Sequence, residues 1–141
     1  MWLATKQGFY SIVKDNKSSD YIVRARSRVD LQNLKKLVES ISDRGIITTR
    51  ESDYMFRIFV NQQELFEITL SLSIEIDYHN FKDKVKDTPT QKDKVGYYSE
   101  IWGTMFDYQI KHNKLFQKPN RFNSFDIFNE DIRHYRRNPV N

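Results

Sequence analysis

Residues 21–45 read YIVRARSRVDLQNLKKLVESISDRG, and the spacing of apolar residues changes period inside this stretch. Over residues 21–27 the period is two. Tyr21, Val23 and Ala25 fall on one side of an extended chain, with Ile22, Arg24 and Arg26 on the other. From Asp30 onward, Leu31, Leu34, Val38 and Ile41 recur at helical spacing. Asp30 is expected to cap that helix at its N-terminus, and Asp43-Arg44-Gly45 to end it with Gly45 in the left-handed conformation. A half-buried strand feeding an amphipathic helix points to an α+β domain whose sheet is covered on one face.

Working outward, the same punctuation repeats. Residues 2–6 and 9–14 are rich in aromatic and β-branched side chains and are separated by Gln7-Gly8, which predicts a hairpin with Gly8 at a positive φ. Residues 15–20 form a polar loop. Residues 46–50 and 54–60 predict a second hairpin, in which Tyr54, Phe56, Ile58 and Val60 share a face. Asn61 and Glu64 have capping-box spacing and open a helix carrying Leu65, Ile68, Leu72 and Ile76. Residues 77–90 are charged and read as an irregular connection containing Pro89. A last helix over 92–112 carries Val95, Tyr98, Trp102 and Met105 in one stripe, with Ile101 and Tyr108 beside it. The order βββ-α-ββ-α-α predicts a mostly antiparallel sheet of about five strands with helices packed on one face.

Composition narrows the function classes. The chain has 141 residues, 38% of them hydrophobic, and no cysteine, so disulfides, thiolate zinc sites and cysteine nucleophiles are excluded. His79, His112 and His134 show no ligand spacing, and no metal is expected. A mean hydropathy of −0.74 and the absence of a long apolar run argue against a membrane span. The opening residues lack a signal-peptide layout, so a cytoplasmic address is expected. Four unclustered glycines exclude a P-loop or Rossmann turn, and no cofactor is expected. The net charge of +4 is uneven: residues 1–113 hold 17 Lys/Arg and 16 Asp/Glu, whereas 114–141 hold six and three. Residues 1–112 therefore read as a single domain and 113–141 as a basic, aromatic C-terminal extension.

Three groups of residues are chemically able. Arg24, Arg26 and Arg28 recur every second residue, which on a strand would align three guanidinium forks for phosphate or carboxylate. The alternative is a solvated face paired with acidic neighbours. Asp77, Tyr78, His79, Asn80 and Lys82 crowd one connection; Asp77 with His79 could orient a general base, and Lys82 could hold an anion. The alternative is a helix-exit turn with Tyr78 and Phe81 packed on the core. In the extension, Phe122, Phe125 and Phe128 recur every third residue, near Arg121, Arg133, Arg136 and Arg137. That pattern suits docking on the parent domain, a partner groove, or stacking on exposed bases.

Met1-Trp2-Leu3, Gly8-Phe9, Ser11-Ile12-Val13, Val23-Arg24-Ala25-Arg26 and Asp30-Leu31 resemble the opening of a family of small uncharacterised bacterial and mobile-element proteins. The likeness continues through Asp53-Tyr54, Arg57, Ile76-Asp77-Tyr78, Asn80-Phe81-Lys82, Tyr98, Trp102 and Met105, covering roughly residues 1–109 and leaving out His79. It implies no activity. The leading expectation is a non-enzymatic cytoplasmic binding protein that occupies or modulates a macromolecular protein complex. Size and resemblance together suggest a phage or mobile-element inhibitor of a host defence or nucleic-acid-processing complex. Direct binding of RNA or single strands is the second expectation, and a small metal-independent nuclease or hydrolase on Asp77, His79 and Lys82 is the third.

Overall fold

The computed structural model describes residues 1–112. Alternating apolar residues build strands β1 (Trp2–Ala4), β2 (Phe9–Lys14), β3 (Tyr21–Ala25), β4 (Ile47–Thr48) and β5 (Phe56–Val60). They form one antiparallel sheet in the order β1-β2-β3-β5-β4. Helices α1 (Arg28–Leu37), α2 (Gln62–Ile74), α3 (Phe81–Asp87) and α4 (Val95–His112) give the order βββ-α-ββ-ααα, with short 3₁₀ turns at Glu39–Ile41 and Lys92–Lys94. The chain divides into two compact units, Met1–Ile101 and one that begins at Trp102, and α4 runs from the first into the second.

The core of the first unit follows from the two periodicities. Tyr10, Ile12, Val23, Ala25, Ile58 and Val60 come from one face of the sheet. Against them lie Leu31 and Leu34 of α1, Val38 and Ile41 just after it, and Ile68 and Leu72 of α2. Each large aliphatic side chain buried here contributes about 1.5–3 kcal/mol. The capping box forms in full: the Glu64 amide donates to Asn61 Oδ1 at 2.9 Å and the Asn61 amide to Glu64 Oε2 at 2.7 Å. Arg44 grips the same Glu64 carboxylate through Nε (2.9 Å) and Nη2 (2.8 Å), pinning the segment after α1 to the start of α2.

Several expectations are corrected. Ser27, not Asp30, occupies the N-cap position of α1, and Asp30 lies inside the first turn with its side chain buried. Regular helix stops at Leu37 because Val38 is extended (φ −118°, ψ 105°), and the 3₁₀ turn returns Ile41 to the core. Burial thus followed the predicted spacing although helical continuity did not, and Gly45 is not left-handed. Ile76 falls beyond the end of α2 and is exposed. Residues 81–87 are helical: Asn80 Oδ1 accepts from the amides of Lys82 (3.0 Å) and Asp83 (3.2 Å), and Val85 is buried. Of the α4 stripe only Tyr98 is buried, while Trp102 and Met105 are exposed. Tyr54 leaves the face it was expected to share with Ile58 and packs against arginines on the other side.

Gly8 is required for a different reason from the one its neighbours suggest. Its φ lies outside the left-handed region; a Cβ there would lie 2.6 Å from Asp30 Cβ and 2.7 Å from Tyr10 Oη. Gly8→Ala is expected to destabilise the protein by about 1–3 kcal/mol, as forced overpacking does. Urea denaturation measures this, and an unchanged midpoint would show that the Asp30 side chain yields freely.

Candidate functional site

Strand register assembles a row across the sheet face opposite the core. Trp2 pairs with Ser11, Ser11 with Arg24, Arg24 with Arg57, and Arg57 with Ile47. Residues directly opposite on antiparallel strands project to the same side. Trp2 (69% exposed) and Ile47 (48%) are open to solvent at the two ends of the row, while Arg24 and Arg57 are half-buried in its middle. The adjacent row, Val13, Ile22 and Phe59, is apolar and partly covered.

The two central arginines are fixed in place by their surroundings. Arg24 Nη2 donates to Ser11 Oγ at 2.7 Å, and its Cζ lies 4.7 Å from the Tyr54 ring centroid. Arg26 stacks on the same ring at 4.2 Å, and Arg57 Nη2 donates to the Tyr54 carbonyl at 3.2 Å. Three guanidinium groups thus converge on one tyrosine that is itself 2% exposed. Among the described residues no carboxylate forms an ion pair with any of them. Arg28 does not join the cluster. The strand ends at Ala25, so the two-residue alternation stops, and Arg28 opens α1 with Nη1 3.5 Å from Thr48 Oγ1.

The 77–83 segment is organised by charge and by helix capping. Asp77 accepts from Lys6 Nζ at 2.9 Å and Lys84 Nζ at 3.0 Å. Those hydrogen bonds hold its carboxyl down at about 2. No hydrogen bond joins Asp77 to His79 among the described residues. Burial of Lys6 works against its charge, but hydrogen bonds to Asp77 and Glu75 outweigh this and raise its pKa. Asn80 caps α3, and Tyr78 packs on Phe81 (6.1 Å between centroids), which packs on Tyr98 (5.0 Å). Tyr78 and Phe81 thus form a ring cluster with Tyr98 rather than joining the main core cluster, and Lys82 lies in the first turn of α3.

A third cluster was not foreseen. Asp30 accepts from the Phe9 amide (3.1 Å), from Gln91 Nε2 (3.0 Å) and from Lys94 Nζ, while Tyr10 donates its hydroxyl to the Asp30 carbonyl (2.9 Å). Burial, reinforced by the Asp30 charge, pushes the Tyr10 and Tyr98 hydroxyls upward. Beside this cluster lies an open cavity of about 430 Å³ walled by Phe9, Arg26, Tyr97, Tyr98 and Ile101. The sequence carried one sign of it, a charged residue inside an apolar stripe; the partners lie too far along the chain to be read. Arg57 was likewise missed as a site residue, because its pairing with Arg24 depends on a strand order that periodicity does not reveal.

Phe122, Phe125, Phe128, Arg136 and Arg137 lie outside the described residues. Among the described residues no His, Asp or Glu side chains group as a metal site, and no helix is long and apolar enough to cross a membrane. No protein-family model matches the chain, and no curated protein or solved structure shows significant similarity to it.

Asp77 gives a signed pH prediction. Its folded pKa is depressed from an ordinary 3.8 to about 2, so the stability it contributes is complete above 3.8 and is lost as pH falls through about 2. Asp77→Asn should therefore melt below the wild type at neutral pH, with the two melting curves converging as the pH drops across that window. A gap that stays constant between pH 5 and 2 would show that the lysine pairings do not set the acid response.

Proposed function

We propose that this chain is a non-enzymatic binding protein that occupies a macromolecular protein partner through the outer face of its sheet. The observation that carries the reading is the convergence of Arg24, Arg26 and Arg57 on Tyr54 with none of the three in an ion pair among the described residues. Aligned charges of one sign on neighbouring strands cost stability, and a partner of opposite charge offsets that cost. Arginine, tyrosine and tryptophan are also the residue types that dominate binding energy at protein interfaces, and Trp2 stands exposed in the same row. The state of Asp77 supports a non-enzymatic reading: a carboxyl held near 2 by two lysines is a weak base at neutral pH.

The test is affinity capture from host lysate, with and without nuclease, using the wild type and the Arg24→Glu/Arg26→Glu double variant after circular dichroism confirms that both fold. The wild type is expected to retain a protein partner through nuclease treatment. The charge reversal should weaken that capture by about tenfold or more, the scale on which interfacial charge contacts act. Equal capture by both proteins would sink the assignment of this face. Capture that vanishes with nuclease would replace the protein partner by nucleic acid.

A further inference from the structure

The outer-face row has an internal conflict that indicates what it receives. Arg24 and Arg57 are direct cross-strand partners, a pairing that places their Cβ atoms about 4.5–5.5 Å apart. Like charges at that spacing repel, and Arg26 adds a third on the same tyrosine ring. The five ion pairs among the described residues engage Lys6, Arg44, Lys84 and Lys94 and leave these three arginines aside. Hydrogen-bonding capacity is also unspent: Arg24 Nε, Arg57 Nε and the Tyr54 hydroxyl are buried without partners, the last on a residue only 2% exposed. Buried polar groups usually find partners, so the cluster carries donor capacity that its own neighbours do not use.

Building on the reading that this face is the contact surface, we propose that Arg24, Arg57 and Arg26 form a receptor for the carboxylates of an acidic protein segment. Carboxylate chemistry fits the guanidinium fork, which offers two parallel N–H donors to two oxygens. Protein is favoured over a nucleic-acid strand by two features. Single-strand binding needs a basic groove that tracks successive phosphates, whereas the positive charge here is one compact spot. Apolar side chains lie about that spot, Trp2 and Ile47 at the ends of the same row and Val13, Ile22 and Phe59 in the next. A charged centre within apolar surroundings is the arrangement of a protein contact anchored by acidic side chains.

The experiment is a titration of the full chain, followed through the Nε–Hε NMR signals of its arginines, with three probes. These are a short peptide alternating glutamate with leucine and serine, the same peptide with glutamine for glutamate, and an oligothymidylate of matched length. The glutamate peptide is expected to shift the Arg24 and Arg57 signals, to bind at least about tenfold more tightly than the glutamine peptide, and to weaken with added salt. Arg24→Lys/Arg57→Lys keeps the charge but loses the fork, and should reduce binding several-fold; Arg24→Gln/Arg57→Gln should abolish it in a protein that circular dichroism shows to be folded. Unmoved Arg24 and Arg57 signals, or equal binding of the two peptides, would overturn the proposal. Tighter binding of the oligothymidylate at the same arginines would overturn it in favour of a phosphate backbone. Loss of lysate capture in the charge-reversal variant alongside a silent peptide titration would leave the face assignment standing and remove only the carboxylate receptor.

Discussion

A buried carboxylate must find its charge partner and its hydrogen bonds inside the protein, and Asp30 imposes that requirement on most of the first unit. It sits in the first turn of α1 at 1% exposure and takes its donors from the opening residue of β2 and from Gln91 and Lys94, far along the chain. Gly8 leaves the space the carboxylate occupies. One side chain thereby ties the sheet, the first helix and the turn that precedes α4. Removing one partner of such a buried pair typically costs about 3–5 kcal/mol. These segments therefore hold together or come apart together.

Much of this architecture is legible in the sequence because it depends on short-range periodicity. The alternation at 21–25 and the helical spacing at Leu31 and Leu34 need no knowledge of distant residues, and the Asn61–Glu64 box is visible from three residues' separation. Element ends were harder. Val38 ends α1 through its own backbone conformation, and α3 is dilute in apolar residues, with Val85 as its buried contact. The apolar spacing of α4 suggested a buried stripe, but spacing does not say whether a surface exists to cover it.

The site was half legible for the same reason. Arg24 and Arg26 declare themselves by alternation, whereas Arg57 joins them only because β5 sits beside β3. By its spacing from Phe56 and Ile58, Tyr54 is placed with them on one strand face. In the fold it turns beneath two guanidinium groups, where an aromatic face stabilises cations that a carboxylate would otherwise have to pair. Arg28, one alternation further on, is lost to the helix start.

The strand order also decides how a partner can be met. The sheet is bounded by β1 and β4, three and two residues long, whereas its longer strands lie inside. Edges this short expose few unpaired backbone groups, which limits accidental joining of one sheet to another. For the same reason they give an incoming extended peptide little to zip onto by main-chain hydrogen bonds. If the proposed contact face is right, recognition there would be written in side chains rather than backbone, and a partner's identity would be read by its residues and not merely by its shape.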